Sequence, residues 1–246
     1  MRDSFLSSTV SYLASVNEAI MQRFSFEHFQ GRSIRLVDLG CGTGVASARI
    51  LASLKQRNEI RPISVLCVDP NSVKLINRES LRRAFPCAVV ETLSMSSGTF
   101  ARLNGTFSHI LLKEVVHHCV DHLDEFRGIH SQLEPGGKMV IVTRPVEIDY
   151  PFFPRLKEIW RSSQAPISLF EEAVRVAGFA HQETSEHVFQ FTVTKQEIID
   201  WIQSRCWSEF SKLTPTEMAA GLDHLEHSYS NLITFNDRLL FLTATK

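Results

Sequence analysis

The sequence predicts an α/β fold in which a parallel β-sheet is buried between helices. Two observations carry that reading. Five short runs rich in Val, Ile and Leu alternate with helical stretches of roughly 10–15 residues, the pattern of βαβ units. A glycine-rich turn closes the first run, where a strand hands over to a helix. The chain has 246 residues, 43% hydrophobic and 22% charged, an ordinary globular composition that excludes disordered or fibrous classes. At this length a core needs no disulfide or metal staple.

The elements follow in order. Over residues 4–30, Phe5, Leu6, Val10, Leu13, Val16, Ile20 and Phe24 recur in steps of three or four, which gives one helical face. This helix precedes the sheet and ends near Gly31. Ile34 to Leu39 is the first strand, and Val45 to Arg57 the helix after it. Ile63 to Val68 is the second strand, ended by Asp69-Pro70, with a helix over Ser72 to Ala84. Cys87 to Val90 and Phe107 to Leu112 are the third and fourth strands. A helix over Val120 to Leu133 stops at Pro135-Gly136-Gly137, ahead of a fifth strand from Lys138 to Thr143. Right-handed crossovers put helices on both faces of such a sheet. Beyond Pro145, prolines 151, 154 and 166 punctuate a connecting segment. Phe170 to Ala177 is a short helix closed by Gly178. Val188 to Val193 and Leu239 to Thr245 read as two last strands, separated by a helical insert from Lys195 to about Ser228 that is too long for a hairpin turn.

Composition narrows the function. Lys plus Arg is 26 and Asp plus Glu is 27, a net charge of −1. Such a chain carries no overall field toward nucleic acid or an anionic membrane. No apolar stretch approaches the roughly 18 residues a membrane span needs, and the first residues lack a secretory signal. Five scattered cysteines, Cys41, Cys67, Cys87, Cys119 and Cys206, with no Cys-x-x-Cys pair, fit reduced thiols in a cytoplasmic enzyme.

The strongest local signal is Val37-Asp38-Leu39-Gly40-Cys41-Gly42-Thr43-Gly44. Glycines there permit a tight turn and let a ligand lie on bare main chain. The following helix offers unpaired N–H groups and the positive end of its dipole. The Gly-x-Gly-x-Gly spacing is neither the dinucleotide fingerprint nor a P-loop. A glycine turn also joins strand to helix where no ligand binds. The second signal is Asp69, whose carboxylate at the sheet edge is suited to a ribose diol; it is also suited to capping the following helix.

Together with Leu133-Glu134-Pro135-Gly136-Gly137 before the fifth strand, these two motifs resemble the class I S-adenosylmethionine-dependent methyltransferases. The likeness is greatest to their small-molecule, type 11-like methyltransferase-domain group. It covers residues 34–145 well and the final strands loosely. The resemblance implies a doubly wound, Rossmann-like, mostly parallel seven-stranded sheet with an antiparallel last strand. The length suits one domain rather than two small ones, read as a helical cap over 1–31, a cofactor-binding core over 32–145 and a substrate-side segment over 146–246. The resemblance implies S-adenosylmethionine as cofactor, S-adenosylhomocysteine as product, and no metal. Asp38 and the loop Gly40, Cys41, Gly42 and Gly44 would hold the methionine part. Asp69 with Pro70 would hold the ribose, Leu93 and Ser94 would flank the adenine, and Lys113 and Glu114 would lie beside the methyl group.

Methyl transfer from a sulfonium is an in-line displacement in which the protein aligns the reactants and excludes water. A hydroxyl or protonated amine acceptor needs a base with a pKa near working pH. His117 and His118, after the fourth strand, are the candidates, since imidazole titrates near neutrality; a loop-bonding role is the alternative. His118 and His122 are four apart, a spacing that on a helix suits a metal, but further ligands are not evident. Cys41 is a small filler or, at a helix N-terminus, a thiol of lowered pKa. Tyr12, Phe24, Phe26 and Phe29, with Ile198, Ile199, Trp201, Ile202 and Trp207, are a lid over the sheet edge or core stripes. Arg144 is an anion fork or a surface charge. The leading function is methyl transfer to a small molecule. Transfer to protein or RNA, and a non-catalytic regulator that binds the cofactor, are the alternatives.

Overall fold

The computed structural model describes residues 10–29, 31, 33–71, 78–205 and 207–246. The predicted helical stretches 4–9 and 72–77 lie outside these residues. The described chain runs α1 (Val10–Phe24), β1 (Ile34–Leu39), α2 (Val45–Gln56), β2 (Ile63–Val68), α3 (Arg78–Ala84), β3 (Ala88–Leu93), α4 (Ser97–Ala101), β4 (Phe107–Lys113), α5 (His122–Gln132), β5 (Leu133–Thr143), α6 (Pro154–Ser163), α7 (Ile167–Val176), β6 (His181–Thr194), α8 (Lys195–Gln203), α9 (Pro215–Ser228) and β7 (Leu232–Thr245). One seven-stranded sheet has the order β3-β2-β1-β4-β5-β7-β6. β1 pairs in parallel with β2 and β4, β2 with β3, and β4 with β5. β7 pairs antiparallel with β5, from Lys138↔Thr245 to Thr143↔Leu240. This is the expected methyltransferase topology.

The central strands are buried on both faces, so they read as continuous apolar runs. Ile34, Leu36, Val37 and Leu39 of β1, and Ile110, Leu111 and Leu112 of β4, are all within 1% of full burial. The register aligns Leu39 with Val68 and with Leu112, and Val68 with Leu93. One carboxyl edge therefore carries the turns after β1, β2, β3 and β4, which hold the candidate site residues.

Two predicted boundaries moved for physical reasons. Pro135-Gly136-Gly137 does not end a helix ahead of a separate strand. Leu133 pairs with Phe107 and Lys138 with His109, so residues 134–137 bulge out within β5. Gly136 has φ +73, and a Cβ on Gly137 would stand 2.8 Å from the Glu134 carbonyl oxygen. The proline-punctuated connector also holds α6, because Pro154 sits at its first turn, where a missing N–H costs nothing.

The chain packs as two compact units. The larger, over 14–143, 167–185 and 240–246, holds the parallel strands. In its core, Phe24, Phe26 and Phe29 pack around the fully buried ring of His109, with centroids 4.3–5.1 Å away. Burial first, then the charges of Lys138 and Arg61, hold that imidazole down to about 3.

Among the described residues, the smaller unit comprises 10–13, 144–166, 186–205 and 207–239. Its core is aromatic: Tyr150, Phe152, Trp201, Trp207 and Phe210 interlock at centroid distances of 4.7–6.0 Å. Capping boxes at Thr194/Glu197 and Thr214/Glu217 start α8 and α9. Beside the rings lies a buried ion pair. Arg144 Nε donates to Asp237 Oδ1 at 2.9 Å and its Nη2 to Oδ2 at 3.1 Å, while the Tyr12 hydroxyl donates to Oδ2 at 2.7 Å. Burial pushes the Asp237 carboxyl up, but Arg144 and the tyrosine hydroxyls outweigh it and hold it below its ordinary value.

Candidate active site

The glycine loop is built on positive-φ geometry. Gly40, Gly42 and Gly44 have φ of +78, +51 and +73, values that L side chains adopt at a cost. The N–H groups of Gly40 and Cys41 both donate to the Val68 carbonyl, at 2.7 and 3.0 Å, which ties the loop to the end of β2. Gly44 is the N-cap of α2 and provides no side-chain cap, so the first turn of that helix keeps free donors.

Asp69 meets this loop directly. The Gly42 N–H donates to Asp69 Oδ2 at 2.9 Å, and the Asn71 N–H to Oδ1 at 2.8 Å. The Asp69 N–H in turn donates to the Leu93 carbonyl at 3.2 Å, and the Ser94 hydroxyl to that of Pro70 at 3.5 Å. The loop, Asp69, Pro70, Leu93 and Ser94 thus form one continuous wall at the carboxyl edge. A Cβ placed on Gly42 would meet nothing within 4 Å, whereas one on Gly40 would lie 2.5 Å from Val115 Cγ2. Gly40 is therefore needed for packing, and Gly42 faces open space.

Asp38 lies behind the loop and is 2% exposed. Its Oδ2 accepts the Ser47 hydroxyl at 2.6 Å. Burial raises the Asp38 carboxyl above its ordinary range, against the Ser47 hydrogen bonds and the nearby Lys113 ammonium. After β4, Glu114 takes φ +56, an uncommon backbone for a non-glycine residue that clusters at functional sites. Its N–H donates to the Val142 carbonyl at 2.8 Å. A single 3₁₀ turn, Val116–His118, follows. It brings the rings of His117 and His118 together, tilted at 55° with centroids 4.0 Å apart, and His118 is exposed to solvent.

The structure bears on four of these readings. Cys41 is not an activated thiol: its contact with the Cys67 thiol, then burial, push it far up. His118 and His122 do not share a helical face, because His118 is in the 3₁₀ turn and His122 opens α5 after the Asp121 N-cap. His122 Nε2 instead meets the Val116 carbonyl at 3.1 Å, and its ring packs on Phe170. No group of three metal-ligating side chains occurs among the described residues. The aromatic residues of α1 and of the helical insert are core rather than lid, with Phe24, Ile198 and Ile202 fully buried. Arg144 is neither an anion fork nor a surface charge, since Asp237 occupies its guanidinium. Sequence reasoning missed Ser47 and Val115. Ser47, three residues past Gly44, is a polar residue in the first turn after the loop, a signal that was available; Val115 offers none.

The pattern of the family described as methyltransferase domain matches residues 10–196, well over half the chain. The chain belongs to this family: it is a class I S-adenosylmethionine-dependent methyltransferase. Among curated proteins, the tRNA U34 carboxymethyltransferase of Pseudomonas aeruginosa is 25% identical over 206 residues, 80% of this chain and 60% of that protein. The chain thus spans about 60% of the length of the curated relatives it matches. Among solved structures, the YcgJ protein of Bacillus subtilis has a TM-score of 0.63 at 12% identity, covering 94% of this chain and 98% of its own. The Haemonchus contortus phosphoethanolamine N-methyltransferase 2, solved with phosphomonomethylethanolamine and S-adenosylhomocysteine, has a TM-score of 0.54 at 17% identity, covering 94% and 52%. At such identities the likeness is one of fold. No helix among the described residues is long and apolar enough to cross a membrane.

Proposed function

We propose that this methyltransferase transfers its methyl group to a small-molecule acceptor, using the crevice in front of Gly42 as the cofactor site. The carrying observation is the 2.9 Å bond from the Gly42 N–H to Asp69 Oδ2, beside open space at Gly42. The residues fit the cofactor. Bare main chain and the uncapped start of α2 suit the methionine carboxylate, and the Asp38 carboxylate suits its ammonium. Asp69, with Pro70, has lone pairs left over for a ribose diol, and Leu93 with Ser94 forms the wall beside the base. When bound, the cofactor supplies a methyl carbon already activated by a positive sulfur.

The chain's task is then alignment and proton handling. Lys113 and Glu114 hold the methyl end of the crevice, and the Val142 carbonyl fixes the strained turn at Glu114. His118 takes a proton from a hydroxyl or ammonium acceptor, with the His117 ring tilted against it. The balanced charge of the chain supports a small acceptor over a polyanion. A second reading, transfer to RNA, is favoured by one observation, the curated relatives named for tRNA U34.

The test incubates the protein with methyl-labelled cofactor and, in separate reactions, a metabolite extract or total tRNA. Label in the small-molecule fraction is expected. Label in tRNA with none in metabolites would overturn the proposal. A His118→Gln variant whose pH–rate profile matches the parent would remove that side chain from the chemistry.

A further inference from the structure

The first turn of α2 holds a buried side chain bonded to Asp38, the carboxylate assigned above to the cofactor's ammonium. Ser47 is fully buried and three residues past the N-cap Gly44. Its hydroxyl donates to Asp38 Oδ2 at 2.6 Å. The same hydroxyl lies 3.4 Å from Cys67 Sγ, and Cys67 stands opposite Asp38 in the β1–β2 register.

Buried carboxylates away from strong partners drift toward the neutral acid. Every group facing Asp38 matters for that balance. Lys113, at the end of β4, favours the charged form, and Asp69, at the end of β2, opposes it. The buried thiols of Cys41 and Cys67 lie alongside, and the Cys67 contact, then burial, push the Cys41 thiol up. The Ser47 hydroxyl donates a 2.6 Å bond to this carboxylate, and such a donor stabilises the charged form.

We propose that Ser47 is a positioning residue for cofactor binding: its hydroxyl keeps Asp38 aimed and ionised so that the carboxylate receives the cofactor's ammonium. This rests on the crevice assignment above. Ser47 touches neither cofactor nor acceptor, and its effect passes through Asp38 alone. Two consequences separate it from a residue that merely fills space. First, cofactor affinity should become pH-dependent without the hydroxyl. Removing a donor to the carboxylate raises its pKa, so the neutral acid accumulates as pH falls and binding weakens on the acid side. Second, Ser47 should have nothing left to contribute once Asp38 carries no charge.

The experiment is calorimetric titration of the full chain with S-adenosylhomocysteine at pH 6, 7 and 8, for the parent, Ser47→Ala, Ser47→Thr, Asp38→Asn and the double variant Asp38→Asn/Ser47→Ala. Alanine keeps the backbone N–H and suits a helix, and circular dichroism verifies that each variant is folded. Ser47→Ala should bind roughly tenfold weaker at pH 6 than at pH 8, relative to the parent measured at the same pH values. Ser47→Thr, which restores the hydroxyl, should return toward the parent profile. The double variant should match Asp38→Asn at every pH. A Ser47→Ala profile parallel to the parent, alongside weakened binding in Asp38→Asn, would overturn the role of Ser47 and leave the crevice intact. Undiminished binding in Asp38→Asn would instead overturn the crevice assignment, and with it this inference.

Discussion

Replacing Asp69 with Ala removes the side chain that ties the glycine loop to the turn after β2. Its carboxylate accepts the N–H groups of Gly42 and Asn71 at 2.9 and 2.8 Å, and the residue is 9% exposed. Alanine deletes both acceptors. Hydrogen bonds to a charged group contribute about 1.5–3 kcal/mol each, and N–H groups that reach water recover part of that, so a loss of about 3 kcal/mol of folding stability is expected. At about 2–4 °C per kcal/mol for a chain of this size, Tm should fall by about 6–12 °C. If Asp69 also holds the ribose diol, two further bonds of about 1.5 kcal/mol vanish from the complex, which weakens binding about 100-fold. Thermal denaturation with S-adenosylhomocysteine reads both effects. At a ligand concentration of about 100 times the parent Kd, the parent gains about 2.7 kcal/mol and the variant about 0.4 kcal/mol. Calorimetry gives the affinity directly. An Asp69→Ala chain that binds within about threefold of the parent would refute the ribose role, and an unshifted Tm would show that the loop bonds carry no weight.

Two further outcomes follow from the same geometry. Gly42→Val should lose stabilisation by S-adenosylhomocysteine altogether, since its methyls enter the open space before the loop; the φ of +51 adds about 1–2 kcal/mol of backbone strain. Normal calorimetric binding with a native circular dichroism spectrum would refute the loop assignment. His109 gives an acid sensitivity. The unfolded imidazole takes a proton below about pH 6.5, whereas the folded one, buried and facing Lys138 and Arg61, resists until about 3. Stability is therefore present above the unfolded value and is lost as pH falls, by up to about 1.4 kcal/mol per pH unit. His109→Phe, in a site already lined by Phe24, Phe26 and Phe29, should flatten the Tm decline between about pH 6 and pH 4; an equal decline in both proteins would exonerate the ring.

Much of the larger unit was legible because its strands are buried on both faces. β1 and β2 begin and end where the apolar runs do. β7 was read too short because its outer half alternates: Ile233, Phe235, Asp237 and Leu239 are buried while Thr234 is exposed. Asp237 broke the apolar rhythm at an inward position, and only its pairing with Arg144 explains a carboxylate there. α6 was hidden because Pro154 reads as a breaker when it is in fact a start. In the site, the loop and Asp69 were visible because backbone conformation and sheet-edge position are written locally. Ser47 and Val115 act by tertiary approach, to Asp38 and Gly40 respectively, and local patterning is silent about that. His118 and His122 misled for the converse reason: a spacing of four implies a shared face only if the helix is continuous, and here the Asp121 cap interrupts it.

The Arg144–Asp237 pair carries an evolutionary corollary. Losing one partner strands a charge among Tyr12, Tyr150 and Trp207, at a cost of about 3–5 kcal/mol, whereas exchanging both for apolar residues of similar volume is often neutral. Descendants of this chain should therefore keep the two positions together or change them together, and lineages caught with only one altered should be rare.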